Sequence, residues 1–418
     1  MDAFIIRGGR ALKGRVKVRG AKNAVLPIMA ASLLADGPCV IENVPVLRDI
    51  ATMSKVLQYM GAKVHDVGTG TLTIDSSNLN DHMAPYELVR RMRASVLVMG
   101  PLLARMGKAK VSLPGGCAIG LRPIDIHLKG LAALGAKIKT GRGYVQLSAR
   151  KLKGAEISLN FPSVGATENL LMACALAQGK SVIDNAAREP EIQDLAKFLR
   201  SLGAKIEGEG TPRITVEGAK RLGSATHCTI PDRIEAGTYL LAGAITKGQV
   251  TTDGVIEEHL KPILAKLTEA GVNVAVNGPS VTVSVASDLR PIDVRTMPYP
   301  GFPTDMQAQF MALMTVTTGM SSITETVFEN RFMQVAELNR MGANIRIERN
   351  VAIVNGVHHL SGAEVMASDL RASAALVLAG LVAQGETKIS RIYHIDRGYD
   401  QIERRLKDLG ADIRRISE

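Results

Sequence analysis

A thiol and a guanidinium stand five residues apart in the stretch Gly115-Gly116-Cys117-Ala118-Ile119-Gly120-Leu121-Arg122-Pro123. Glycines let a chain turn through positive φ and approach a ligand closely. A nearby cation favours thiolate over thiol. The spacing therefore predicts Cys117 as a reachable, reactive group, although a tight turn around a buried, inert cysteine fits the same residues, because free cysteines commonly pack as small hydrophobes. The other cysteines, Cys39, Cys174 and Cys228, form no CxxC pair and no metal-ligand spacing with the scattered histidines. That pattern predicts a reduced, metal-free, cytoplasmic protein that needs no cofactor.

A second set of chemically useful residues precedes apolar runs: Lys22-Asn23, Arg93, Ser163-Val164-Gly165, Arg233 with Glu235, Thr304-Asp305, and Arg371. If each run is a helix, these residues stand where unpaired N–H groups and a partial positive charge favour phosphates and carboxylates. Two halves of the chain facing each other with those ends inward would enclose a cleft suited to a doubly anionic substrate. Blander readings fit each residue singly. Asp305, between Pro303 and an apolar run, suits a helix cap, and Lys22, Arg93 and Arg371 suit solvated surface charges.

The elements that must position these groups follow from a repeat. The phrase MGAKV at Met60 returns as LGAKI at Leu134 and Leu202, AGVNV at Ala270, MGANI at Met341 and LGADI at Leu409. Its period of roughly 70 residues marks a supersecondary unit rather than a short solenoid repeat. An amphipathic helix precedes each copy and ends at its glycine, which suits the C′ position. In the first unit Ile50, Met53, Val56, Leu57 and Met60 share one face, and Ile192, Leu195, Phe198, Leu199 and Leu202 do so in the third. Further upstream lies a helix apolar nearly all round, such as 25–35, 169–177 or 306–316, which must be buried on most sides. Alternating stretches such as 71–74 and 213–216 supply strands. Each unit reads as buried helix, strand, surface helix, strand, strand. Six units divide into two sets of three. The prediction is a two-domain α/β protein: residues 21–229 with the cysteine loop, and 1–20 plus 230–418 with Asp305, the active site lying in the cleft between them.

Composition narrows the function. The chain has 418 residues, 46% hydrophobic and 22% charged, as in ordinary globular proteins. MDAFIIRGGR lacks the apolar run of a secretory signal, and no apolar stretch approaches the roughly 20 residues of a membrane span. The net charge of +11 invites a nucleic-acid partner, but there is no tryptophan, aromatics make up 3%, and basic residues form no dense run. Diffuse basicity equally attracts a small anion. Neither a nucleic-acid nor a membrane partner is expected, and the oligomeric state is not specified.

Longer motifs add to this. Lys22-Asn23, GGCAIGLRPIDIH from Gly115, FPSVGATEN from Phe161, NAAREPEI from Asn185, PGFPTDMQAQ from Pro300, ETVFENRF from Glu325, DLRASAAL from Asp369 and DRGYDQIE from Asp396 span nearly the whole chain. Together they closely resemble the UDP-N-acetylglucosamine enolpyruvyl transferase (1-carboxyvinyltransferase) family of the EPSP synthase-like superfamily. The resemblance implies an inside-out α/β barrel of two domains, each of three repeated units. It also implies transfer of the enolpyruvyl group of phosphoenolpyruvate to the 3-hydroxyl of UDP-N-acetylglucosamine, with loss of phosphate, at the first committed step of peptidoglycan synthesis. By the same resemblance Cys117 protonates the enolpyruvate methylene and Asp305 accepts the sugar hydroxyl proton. Lys22, Asn23, Arg122, Arg331, Arg371 and Arg397 grip phosphoenolpyruvate. The sugar nucleotide meets Arg93, Arg122, Pro123, Ile124, Asp125, Ile126, Ser163, Val164, Gly165, Asp305 and Val327. The shikimate-pathway relative, which lacks a cysteine loop, and a catalytically silent sugar-nucleotide-binding paralogue are the alternatives.

Replacing Cys117 by Ser is expected to abolish most turnover while UDP-N-acetylglucosamine still binds, because the acid is lost and the nucleotide contacts remain. Phosphate release together with a nucleotide binding isotherm tests this, and unchanged turnover would eliminate the proton-donor role.

Overall fold

The computed structural model describes residues 2–89, 92–113 and 124–417. They form two compact units, one built from Pro231 to the C-terminus together with the chain up to Arg19, the other running from Gly20 to Ile230. Each has its own continuous apolar core, and neither core draws a residue from the other unit.

In the Gly20–Ile230 unit three inner helices, Lys22–Ala31, Met99–Met106 and Val164–Cys174, alternate with three outer helices, Arg48–Tyr59, Asp125–Ala133 and Pro190–Ser201. The outer helices behave as their periodicity predicts: Ile50, Met53, Val56 and Leu57 are buried in one, Ile192, Leu195, Phe198 and Leu199 in another. The second unit repeats the scheme with inner helices Arg233–Ile245, Gln307–Thr315 and Leu370–Gly380 and outer helices Glu257–Glu269, Gln334–Arg340 and Ile402–Asp408. Every residue of Gln307–Thr315 is buried, as an all-round apolar helix requires.

Four of the six inner helices begin earlier than hydropathy alone places them. Lys22, Val164, Arg233 and Leu370 open helices whose apolar runs start a few residues later. Their first turns carry polar or charged residues that hydropathy assigns to loops, such as Lys22 and Arg371.

Six four-stranded sheets carry the repeat. In each, a short edge strand lies parallel to the strand after the inner helix, and on the other side that strand has an antiparallel partner, which in five of the six is one arm of the hairpin that follows the outer helix. Pro38–Glu42, for example, sits between Thr71–Asp75 and Ala225–Cys228. The edge strand always comes from the preceding repeat: Met83–Ala84 joins Lys108–Ser112, Glu156–Ser158 joins Lys180–Asp184, and Ala225–Cys228 returns to the first. Three repeats thus close on themselves and leave no repeat without a partner.

The second unit closes the same way using the start of the chain. Asp2–Arg7 lies between Glu386–Ser390 and Asp412–Ser417, as the third repeat's missing strand, and Lys13–Lys17 becomes the edge strand of Gln249–Asp253. Arg415 ties this closure: it reaches Asp2 at 3.2 Å and Glu403 at 3.0 Å, holds Asp396 at 3.1 and 2.5 Å, and lies over the Phe4 ring at 5.2 Å.

The shared glycine of the repeat adopts the backbone expected of a helix C′ residue. All six copies have positive φ: 95° at Gly61, 97° at Gly135, 110° at Gly203, 88° at Gly271, 91° at Gly342 and 103° at Gly410.

Gly100 serves a different purpose. Its N–H donates to Asn169 Oδ1 at 2.8 Å, and a Cβ there would lie 2.3 Å from the Asn169 carbonyl oxygen. Two inner helices can approach this closely only without a side chain at that point. Gly100→Ala is expected to destabilise the protein by about 1–3 kcal/mol through overpacking, read as a lower urea midpoint at unchanged slope. An unshifted midpoint would mean that the helices separate without cost.

Candidate active site

In the second unit three sequence-predicted residues meet. Asp305 stands in the short turn Thr304–Met306 that leads into the inner helix Gln307–Thr315. Arg371 stands in the first turn of the neighbouring inner helix, which Asp369 caps through the N–H groups of Arg371 and Ala372. Arg331 arrives from the segment after Met320–Thr324. Arg331 reaches Asp305 Oδ1 at 2.8 Å and Arg371 reaches Oδ2 at 2.8 Å, so each carboxylate oxygen has its own guanidinium. Both arginine side chains are about 5% exposed, whereas 26% of the Asp305 side chain remains open.

Asp305 does not cap its helix. The helix begins with no side-chain cap hydrogen bond, and both carboxylate oxygens face the arginines instead. Burial by itself would raise the Asp305 pKa, but the charges of Arg371 and then Arg331 outweigh it and hold the carboxyl well below the usual carboxylate range. Arg371 shows the reciprocal effect. Burial opposes its charge, and Asp305 more than restores it.

Behind the carboxylate the arginines are braced. Arg331 Nη1 donates to Thr304 Oγ1 at 2.9 Å, and that hydroxyl donates to Glu325 Oε2 at 2.8 Å. The other oxygen of Glu325 accepts from Thr296 Oγ1 and the N–H of Val327 at 2.8 Å each, and from the N–H of Phe328 at 3.0 Å. Glu325 is 1% exposed and welds the residue before Asp305 to the turn bearing Val327. Arg371 Nη1 reaches the Tyr399 hydroxyl at 3.2 Å. Residue type alone does not mark Glu325 or Tyr399, although they lie in ETVFENRF and DRGYDQIE. A glutamate between two threonines, and a tyrosine two residues beyond Arg397, are the signals the sequence carries.

Arg397 ends the short helix Ile392–Arg397 and acts on His394, whose pKa is lowered by burial and then by Arg397. In the other unit Lys22 begins an inner helix, with Nζ 3.5 Å from Asp49 Oδ2 and both side chains largely buried. Asn23 follows it. Ser163 caps the helix Val164–Cys174, its hydroxyl accepting from Ala166 N–H at 3.4 Å, and Val164 and Gly165 form its first turn. Ile124 precedes the helix that Asp125 and Ile126 begin, with Asp125 3.6 Å from Lys129. His127 in that helix meets Asn169 at 3.0 Å. Arg93 opens a short turn of helix, Arg93–Val98, and its side chain lies outside the described residues, as do Cys117, Arg122 and Pro123. Cys39 and Cys174 are buried, and burial pushes the Cys174 thiol up to about 12, as befits a core position. No helix among the described residues is long and apolar enough to cross a membrane.

The chain as a whole is similar to known proteins. The family model described as EPSP synthase (3-phosphoshikimate 1-carboxyvinyltransferase) matches residues 6–406, and the chain belongs to that family. Within it the chain is 56% identical over 417 residues to UDP-N-acetylglucosamine 1-carboxyvinyltransferase of Desulfosudis oleivorans, covering all of both proteins. It is 55% identical over 420 residues to UDP-N-acetylglucosamine 1-carboxyvinyltransferase 2 of Carboxydothermus hydrogenoformans, again over both full lengths. Among solved structures, the enolpyruvyl transferase NikO from Streptomyces tendae superimposes with a TM-score of 0.90 at 28% identity, over 100% of this chain and 99% of that one. EPSP synthase from Acinetobacter baumannii shares the fold, with a TM-score of 0.77 at 19% identity over the full length of both.

Removing the carboxylate leaves two buried guanidiniums uncompensated. Asp305→Ala is expected to cost about 3 kcal/mol in urea denaturation, the low end of the range for a broken buried pair because the carboxylate is partly open, against about 1 kcal/mol for a lost cap. A folded-state pKa below the unfolded one means that the stabilisation is complete above the ordinary carboxylate range and disappears as pH falls through the depressed value. The stability difference between wild type and Asp305→Asn should therefore stay constant above about pH 5 and shrink below about pH 4. A difference that shrinks on going to neutral pH would contradict the clamp.

Proposed function

We propose that the protein transfers the enolpyruvyl group of phosphoenolpyruvate to the 3-hydroxyl of UDP-N-acetylglucosamine and releases inorganic phosphate, by addition followed by elimination. The observation that carries this reading is the full-length identity to relatives bearing that activity's name, in a chain whose Asp305, Arg331 and Arg371 converge. The transferase class follows from the same relatives.

In the addition the sugar oxygen bonds to C2 of phosphoenolpyruvate, its proton leaves to a base, and C3 gains a proton. In the elimination C3 gives up a proton and the C2–O bond to phosphate breaks. Cys117 is assigned the C3 protonation, with Arg122 supporting charge on the phosphate alongside Lys22, Asn23 and Arg397. Asp305 is assigned the sugar hydroxyl. The clamp gives this assignment a physical condition. A carboxylate saturated by two guanidiniums is a weak base, and an anionic donor drawing on Arg331 and Arg371 loosens both contacts and restores basicity. Donor and acceptor are thereby coupled through shared arginines. The sugar nucleotide is assigned to Arg93, Arg122 to Ile126, Ser163 to Gly165 and Val327, and the helix starts at Asp125 and Val164 offer N–H groups to phosphate.

Phosphate release with phosphoenolpyruvate and UDP-N-acetylglucosamine tests the proposal, with shikimate 3-phosphate as the competing acceptor. Release is expected only with the sugar nucleotide. Release with shikimate 3-phosphate would move the assignment to the other branch of the family, and binding of UDP-N-acetylglucosamine without release would make the chain a silent paralogue.

A further inference from the structure

The DRGYD stretch contributes more than Arg397. The Tyr399 hydroxyl lies where the three inner helices of its unit converge, and each helix sends it one polar side chain: Thr238 at 2.8 Å, Gln309 at 3.4 Å and Arg371 at 3.2 Å. The direction of these bonds is determined. Arg371 Nη1 and Gln309 Nε2 can only donate, so the phenolic oxygen accepts from both and its proton goes to Thr238 Oγ1, which itself donates to the Ile234 carbonyl at 2.8 Å. The Arg371 guanidinium also lies over the Tyr399 ring, 5.6 Å from its centre. Tyr399 is 1% exposed and Arg371 3% exposed, so water cannot substitute for the phenol.

We propose that Tyr399 is a positioning residue for donor binding: its hydroxyl fixes the rotation of the Arg371 guanidinium, so that Nη2 faces Asp305 and the anion that enters beside it. This rests on the reaction proposed above. One guanidinium nitrogen is committed to the helix junction and the other is left for Asp305 Oδ2 at 2.8 Å. The arginine has no freedom to turn away when the donor arrives, so its orientation is set before binding. Burial raises the Tyr399 pKa above its usual value, which keeps the phenol protonated and able to bridge Arg371 to Thr238.

Tyr399→Phe removes one oxygen and keeps the ring. The expected result is a rise of about tenfold in KM for phosphoenolpyruvate, with KM for UDP-N-acetylglucosamine within about twofold of wild type. Thr238→Val, which removes the phenol's acceptor, should move the same constant in the same direction, and Thr238→Ser should restore it. In the free protein, nitrogen-15 arginine spectra should show slow guanidinium rotation for Arg371, assigned by its absence in Arg371→Lys, and fast rotation in Tyr399→Phe. Equal shifts in both KM values, or no shift in either, would overturn the proposal, as would unchanged Arg371 rotation in Tyr399→Phe. Absence of phosphate release by the wild-type protein would instead defeat the proposed reaction, and the arginine spectra would still report whether Tyr399 holds the guanidinium.

Discussion

Asp305 shares its two oxygens between Arg331 and Arg371, and much of the second unit is arranged so that this contact can exist. Two guanidiniums stripped of most of their water need a counter-charge, and a partly buried carboxylate needs donors. Each requirement answers the other. The arginines are braced from behind, Arg331 through Thr304 and Glu325 and Arg371 through Tyr399 and its helix start, so the ion pair is held at three elements rather than one. Side chains committed in this way have little rotational freedom left to lose.

The repeat supplies that rigidity. A single unit of helix, strand, helix and hairpin cannot cover its own apolar inner helix, and three units closed by an exchanged edge strand can. The first seventeen residues take part in this closure as the missing strand of one repeat and the edge strand of another. Chain order and spatial order therefore differ by a circular shift, which the ladder on both sides of Asp2–Arg7 makes energetically unremarkable. The inner helix starts are the positions that closure leaves for polar residues, and Lys22, Ser163, Asp305 and Arg371 all occur there.

Holding a carboxylate between two cations lowers its basicity, so under the proposed function Asp305 starts as a weak base. The arrangement suits the proposed reaction, in which the same cations grip the anionic donor, so that stability and the proposed reactivity draw on the same three side chains.

Much of the architecture was legible in the sequence because it depends on local, periodic rules. The six glycine-centred phrases mark helix ends since only a residue without a side chain takes positive φ there at little cost, and the faces carrying Ile50 or Ile192 follow from helical spacing. The motifs also named Asp305, Arg331 and Arg371 through family resemblance. Residue types alone favoured a cap for Asp305 and solvated charge for Arg371, because those readings need only neighbours in sequence. What pairs them is contact between segments 26 and 66 residues apart, created when inner helices pack and the 325–331 segment is pinned by Glu325. Glu325 and Tyr399 could not be ranked before folding, since the worth of a buried hydroxyl or carboxylate depends on which donors the tertiary structure brings to it.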